Sequence, residues 1–108
     1  MKPDHILHLA EPDAWADAQR TGHYRAASLD TEGFIHCAHP HQLRGVIQRY
    51  YTNRTDLILL TIDPARLTAE LVEENTTGGD EHFPHIYGPI NLDAIIEHAP
   101  ATSRTTPQ

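Results

Sequence analysis

Histidine is the residue type whose number and spacing point most directly to chemistry in this sequence. The chain of 108 residues contains nine histidines, and four of them, His8, His36, His82 and His85, lie beside predicted strands. An imidazole changes charge near neutral pH, and its neutral form offers one donor and one acceptor. Clustered histidines therefore suit proton transfer, ribose or phosphate recognition, or metal ligation.

Two short histidine spacings make a metal site one alternative. They are His36-x-x-His39-x-His41 and His82-x-x-His85. Zinc takes three or four protein ligands, so two such groups could meet around one ion. Because no HExxH pattern or cysteine pair accompanies them, a histidine cluster without a metal is the favoured interpretation, and we expect no metal.

Three further side chains have both a chemical and a structural interpretation. Cys37 follows a histidine, but adjacent strand residues point to opposite faces, so we interpret its thiol as a small buried group. His85 and Tyr87 would lie on one side of an extended segment, either as a pocket for a nicotinamide or nucleobase or as part of the core rim. Arg25 is either an anion ligand or an ion-pair partner of Glu32.

Hydrophobic periodicity predicts the short elements that would position these residues. Alternation over residues 5–9 predicts a strand with Ile6 and His8 on one face. Residues 24–29 read as extended, and the proline-containing stretch 83–89 reads as an ordered loop or an edge segment. The other predicted strands cover residues 34–38, 56–62, 71–74 and 93–98, and the predicted helices cover residues 11–21 and 41–51.

The order of these elements predicts an α+β fold around a curved, mostly antiparallel sheet with two main helices. The predicted strands follow one another in the C-terminal half, which argues against a doubly wound parallel sheet. We expect a single domain over residues 1–98. Residues 99–108 lack hydrophobic periodicity and are predicted to form a disordered tail.

Composition restricts the classes of partner. The net charge of −7 argues against a broad duplex DNA-binding face, although a small basic site for a single-stranded RNA end remains open. No apolar run approaches the roughly 20 residues that a membrane-spanning helix needs, so no membrane partner is expected. A single cysteine excludes an internal disulfide and favours a cytoplasmic location.

Several blocks of the sequence resemble one small bacterial family, the domain of unknown function 952 family. The match extends over residues 5–98 and departs from the usual family pattern at Ala38, where a serine is common, so any role of that hydroxyl is absent. The blocks are Ile6-Leu7-His8-Leu9, Tyr24-Arg25 with Ser28-Leu29, Glu32-Gly33-Phe34-Ile35-His36-Cys37, Leu57-Ile58-Leu59-Leu60 with Ile62-Asp63-Pro64, and Phe83-Pro84-His85-Ile86-Tyr87-Gly88-Pro89.

The resemblance implies a fold similar to the catalytic domain of ADP-ribosyltransferases, in which a split antiparallel sheet holds NAD between its halves. It assigns the first-strand histidine to His8, the second motif to Phe34 or His36, and the late-strand acid to Asp93. The implied catalytic residues are His8, His36, His85 and Asp93, and the implied cofactor-binding residues are His8, Arg25, Ser28, Phe34 and Tyr87.

Two functions from different classes follow. The first is NAD-dependent transfer of an ADP-ribosyl group or an RNA phosphoryl group in a cleft lined by His8, His36, His85 and Tyr87. The alternative is a non-catalytic protein of the same fold that binds a nucleotide or another small ligand. The two differ in whether the carboxylate near the ribose is needed, because that charge would stabilise the cation formed during NAD cleavage.

Overall fold

The computed structural model describes residues 5–75 and 81–101. These residues form short antiparallel strands and three α-helices. The helices are α1 (Pro12–Thr21), α2 (Ala27–Thr31) and α3 (Leu43–Tyr50). The strands are β1 (Ile6–Ala10), β2 (His23–Tyr24), β3 (Ile35–His36), β4 (Ile58–Ile62), β5 (Glu70–Glu74), β6 (Phe83–Tyr87), β7 (Ile90–Asn91) and β8 (Ile95–Pro100). The α+β class with mostly antiparallel strands is confirmed.

The first sheet has the order β1-β4-β8, with every pair antiparallel. Its central strand comes from the continuous apolar run predicted as a central strand, and Leu60 and Ile62 are fully buried there. Across β1, Ile6 lies opposite Ile62 and His8 lies opposite Leu60. The predicted alternation is therefore confirmed, because Ile6 and His8 share the face that packs on the larger core.

The second sheet has the order β3-β6-β5 and is also antiparallel. The prediction of a loop or an edge for residues 83–89 is wrong, because β6 is the central strand of this sheet. Pro84 is tolerated there at the end of β3. Its carbonyl accepts a 3.0 Å bond from the Cys37 amide, and only the return bond that a proline cannot donate is lost.

One pair of backbone hydrogen bonds joins the two sheets within the described residues. The amides of Leu7 and Ala38 each donate to the other's carbonyl at 2.8 Å, so β1 lies beside the chain that continues from β3. Strands β2 and β7 form a separate two-stranded ladder. The result is a split antiparallel arrangement.

Helices α1 and α3 lie within the predicted ranges 11–21 and 41–51, and the structure has a third α-helix, α2, that was not predicted. Gly22 ends α1 at a φ of 92°, the left-handed conformation that glycine adopts without strain. The prediction of extended chain over residues 24–29 is wrong beyond Tyr24. Helix α2 occupies 27–31, where Ala27 favours a helix and Gly33, also at a φ of 92°, follows its end.

The C-terminal boundary lies later than predicted. Strand β8 continues through Ala99 to Pro100, and the Ala101 amide donates to the Leu57 carbonyl at 2.8 Å. Ala101 is buried with Leu9 and Leu43 in a smaller core on the opposite face of β1 from the main one. The rest of the predicted tail, 102–108, lies outside the described residues. No helix in the described ranges is long and apolar enough to cross a membrane.

Candidate functional site

A cavity of about 530 Å³ lies at the junction of the two sheets. This volume is within the range of small-molecule sites, roughly 300–1,000 Å³. Its lining includes both members of the joining pair, Leu7 and Ala38. The other lining residues come from β1, β2, β6, the chain around β3, and the three α-helices or the residues beside them.

His8 crosses this junction. Its Nδ1–H donates to the carbonyl of His36 on β3 at 2.5 Å, and its Nε2 accepts from the Tyr24 hydroxyl at 2.8 Å. Burial disfavours the charged imidazole and lowers the pKa of His8 to about 4. His8 is therefore neutral at pH 7, with one defined tautomer and both nitrogens bonded within the protein.

Tyr24 is the buried partner of His8 and also lines the cavity. Burial raises the pKa of its hydroxyl, so the hydroxyl keeps its proton and donates it to His8. The phenolic oxygen retains lone pairs that can accept a hydrogen bond from a bound molecule. The His8–Tyr24 pair thus offers an uncharged acceptor at the cavity wall.

A histidine and a carboxylate form a second lining pair. His36 Nε2 donates to both carboxylate oxygens of Glu32 at 3.1 Å. Each side chain is 48% exposed, so the pair is open to solvent and to a ligand. Glu32 brings negative charge to the side of the cavity formed by α2 and β3.

His85 is the third histidine of the cavity, and its ring is held on several sides. Its Nδ1–H donates to Glu74 at 2.9 Å, and its ring stacks on Phe34 with centroids 4.2 Å apart. The edge of the His36 ring approaches it at 5.2 Å. Glu74 also accepts a short hydrogen bond from Tyr87, and these two donors lower the pKa of the Glu74 carboxyl.

Charge in the cavity is unevenly distributed. Glu11 and Glu32 line it, and Arg49 on α3 is the single guanidinium among the described lining residues. Glu11 is bonded at 2.7 Å to Arg54, which also contacts Asp56. No ion pair joins Arg49 to another residue in the described ranges. It is therefore available to an anionic group.

Comparison with known proteins gives the family. The family model described as "Protein of unknown function (DUF952)" matches residues 9–98. This chain belongs to the DUF952 family. No curated protein sequence matches it.

Solved structures support the same fold for this DUF952 chain. The crystal structure of protein CC0527 from Caulobacter crescentus superposes with a TM-score of 0.80 at 24% identity, covering 96% of this chain and 93% of that one. The solution NMR structure of CC0527 gives a TM-score of 0.77 at 24% identity, with 96% and 91% covered. At this identity the likeness shows the fold alone.

The DUF952 fold brings together four of the residues singled out from the sequence. His8, Ser28, His36 and His85 all line the cavity, although they come from four different elements or loops. Three of the four side chains of the predicted histidine-lined cleft thus converge. Tyr87 is the exception, because its side chain is 40% exposed and its hydroxyl bonds Glu74.

Three other predicted site residues also lie outside the lining. Arg25 lies on the surface and pairs with Asp30 at 2.8 Å, so its ion-pair partner is Asp30 and not the predicted Glu32. Phe34 is buried behind His85 and supports that ring without lining the cavity.

Asp93 is the fourth residue outside the lining and the one that matters most for a mechanism. It lies in a 3₁₀ turn, Leu92–Ala94, just before β8, and not in the strand where it was predicted. Its carboxylate accepts a 2.5 Å bond from Asn91. That amide also bonds Arg66 and Thr68, so Asp93 belongs to a network that ties two turns together.

Residues missed by the sequence reasoning supply the polar contacts that complete the site. They are Tyr24 and Glu32. Tyr24 and Glu32 lie in the sequence blocks that resemble the family, and this resemblance was the signal that could have identified them. Spacing did not indicate Tyr24, because it is 16 residues from its partner His8 and lies on another strand.

The metal alternative receives no support from the geometry. Within residues 5–75 and 81–101, no three histidine, cysteine, aspartate or glutamate side chains converge in a way that could hold a metal ion. Three histidines of the two short spacings instead pair with separate carboxylates: His36 with Glu32, His39 with Glu73, and His85 with Glu74. Cys37 is buried, as interpreted, and burial raises the pKa of its thiol.

Proposed function

We propose that this DUF952 protein binds NAD in the cavity between its two sheets and transfers the ADP-ribosyl group to an acceptor. One observation carries the proposal: His8 of the first strand, the Tyr24 ring and the Glu32 carboxylate share one cavity. A histidine, an aromatic ring and an acid are the set that the resemblance to ADP-ribosyltransferases implies. The split antiparallel sheet supports it further.

The charge of the cavity suits the nicotinamide end of NAD. The nicotinamide ring of NAD carries a positive charge, and more positive charge develops on the ribose as the glycosidic bond breaks. Two carboxylates, Glu11 and Glu32, and one guanidinium, Arg49, line the cavity. A negative site lowers the barrier of such a reaction by electrostatic stabilisation.

Each polar group has a role in this mechanism. Neutral His8 fixes Tyr24, whose oxygen accepts a hydrogen bond from a ribose hydroxyl or from the nicotinamide carboxamide. Glu32 stabilises the cationic ribose. The C1′–N bond breaks with its electron pair going to nicotinamide, which leaves neutral, and a lone pair of the acceptor forms the new bond to C1′.

The cavity favours ADP-ribosyl transfer over RNA phosphoryl-group transfer. An RNA phosphate would add negative charge beside the diphosphate of NAD. Arg49 is the single guanidinium among the described lining residues, and it already has a diphosphate to neutralise. Phosphate recognition in proteins commonly uses several cationic groups.

Non-catalytic binding of a nucleotide or another small ligand is the second candidate, and His8 is the observation that favours it. Both of its ring nitrogens are bonded within the protein, and its pKa of about 4 keeps it neutral. Such a histidine can shape a binding site but cannot exchange protons with a ligand near pH 7. This candidate keeps the cavity and needs no catalytic carboxylate.

Calorimetric titration with NAD, combined with chromatographic measurement of released nicotinamide, tests both candidates. We expect binding in the millimolar range or tighter and slow nicotinamide release. Glu32→Gln should lower kcat by about 100-fold, a typical loss for one electrostatic contact to a transition state. Asp93→Asn is the matched control, because it changes the acid predicted from sequence, which lies outside the cavity lining.

Three results would redirect the proposal. Binding without nicotinamide release would favour the non-catalytic candidate. An equal loss of turnover in Asp93→Asn and none in Glu32→Gln would restore the acid predicted from sequence. No heat at millimolar NAD would contradict NAD as the ligand.

A further inference from the structure

A buried histidine, one ring nitrogen of which has no hydrogen-bond partner among the described residues, lines the proposed NAD site. The His85 side chain is only 3% exposed, yet it lines the cavity. Its ring is held between the stacked Phe34 ring, 4.2 Å away, and the Glu74 carboxylate, 2.9 Å away. A side chain fixed in this way loses little further freedom on binding a substrate, which is what a catalytic group requires.

The partner of Nδ1 determines the state of Nε2. An ionised carboxylate only accepts hydrogen bonds, so Nδ1 of His85 carries the proton in its bond to Glu74. The hydrogen bonds from Tyr87 and His85 lower the pKa of Glu74 and keep it ionised. In the neutral ring, Nε2 therefore has a lone pair, and no residue in the described ranges donates a hydrogen bond to it.

We infer that His85 is the general base that activates the acceptor, with Glu74 as the positioning residue that orients its ring. This inference rests on the proposed function and specifies its acceptor as a hydroxyl group, of water or of a small alcohol. As the C1′–N bond breaks, the acceptor oxygen bonds C1′ and its proton passes to Nε2. Nicotinamide leaves with the electron pair of the broken bond.

The strand that carries Glu74 also provides a control. Glu73 is the adjacent residue of β5 and so points to the opposite face, where it pairs with His39 at 2.8 Å. Neither Glu73 nor His39 lines the cavity. Glu73→Gln therefore breaks a histidine–carboxylate pair of the same kind without touching the proposed base.

Steady-state kinetics of NAD cleavage in water, with methanol as a second acceptor, tests the inference. His85→Asn should lower kcat by about 100-fold, the lower end of the usual contribution of a general base, and leave KM for NAD within about twofold. Glu74→Gln should lower kcat by about 10-fold and shift the ¹⁵N resonances of the His85 ring, because it removes the negative charge beside Nδ1. Glu73→Gln should do neither.

Two different outcomes would overturn the inference that His85 is the general base. If the wild-type protein cleaves NAD and both site variants keep the kcat of Glu73→Gln, the base is another group and the proposed function stands. If the wild-type protein releases no nicotinamide, the inference fails together with the transferase proposal. Should His85→Asn fail to fold by circular dichroism, Glu74→Gln alone decides between these results, because its side chain is 28% exposed.

Discussion

At the scale of single residues, His8 has a role that depends on its staying neutral. It donates to a carbonyl of the second sheet and accepts from Tyr24, so it connects β1, β2 and β3 around the cavity. A proton on Nε2 would replace the acceptor that Tyr24 needs with a second donor. The same interaction that builds the site therefore makes the fold sensitive to acid.

We predict that acid weakens the fold through His8. The unfolded chain binds a proton near pH 6.5, whereas the folded chain resists it until about pH 4. Stability is therefore highest above pH 6.5 and falls as pH is lowered toward 4. From pH 7 to pH 5 the free energy of unfolding should fall by about 2 kcal/mol from this residue. Urea unfolding of the wild type and of His8→Gln at both pH values measures it.

The difference between the two proteins is the informative quantity, because other groups contribute to both. The wild type should lose more stability than His8→Gln between pH 7 and pH 5. An NMR titration of the His8 ring gives an independent check. An equal loss in both proteins, or a ring that titrates near pH 6.5, would show that His8 is not held neutral by burial.

At this scale the sequence predicted the strand face on which a side chain lies better than it predicted that side chain's hydrogen-bond partners. Alternation over 5–9 assigned His8 to the face that is buried, because strand periodicity is a local property. The bond to Tyr24 depends on where β2 lies, and no local pattern determines that. The same reasoning explains the error at Asp93, whose environment is set by Asn91 and the turns around it.

At the scale of elements, residue chemistry alone misassigned the strand that matters most to the site. Two prolines made 83–89 look like an edge or a loop, yet β6 is central and carries His85. The cost of Pro84 is one missing ladder bond, and burial of Pro84, His85 and Ile86 outweighs it. This compensation comes from tertiary packing, which cannot be predicted from the residue types of a single segment.

Two glycines in the elements around the cavity should respond oppositely to alanine. A Cβ at Gly45 in α3 meets no atom within 4 Å, so Gly45→Ala should stabilise the protein by about 0.5–1 kcal/mol through helix propensity. A Cβ at Gly88, after β6, would lie 2.9 Å from Ala69 Cβ. Gly88→Ala should destabilise it by about 1–3 kcal/mol through overpacking. Thermal or urea unfolding measures both.

This pair is its own control, since the substitution is the same at both positions. If Gly88→Ala is as stable as the wild type, then Gly88 and the chain before β5 are less closely packed than described. If Gly45→Ala loses stability, α3 does not have an open flank at that position.

At the scale of the whole molecule, the proposed site lies where the two sheets of the split arrangement meet. One backbone pair and the His8–His36 bond join β1 to the chain around β3, and the cavity lies where they meet. Hydrophobic periodicity predicted an α+β domain with a mostly antiparallel sheet, whereas the split of that sheet was implied only by the family resemblance. The convergence of His8, His36 and His85 required the long-range pairing of strands.

The charge of the molecule also depends on pH as a whole. Its net charge is −7 with neutral histidines, and nine histidines are available to titrate. Binding of NAD, which is itself anionic, should therefore be measured at a fixed pH at which the fold is intact. A pH above 7 meets this condition, because His8 is then neutral in both the folded and the unfolded chain.

Mapping of NMR chemical shifts during titration with NAD at pH 7.5 tests the central claim most directly. The account predicts that the shifts change together around the sheet junction, at the backbone of Leu7 and Ala38 and at the rings of His8, His36 and His85. Asn91 and Asp93 should be unaffected, since neither lines the cavity. No change up to millimolar NAD, or changes confined to the turn around Asp93, would contradict it.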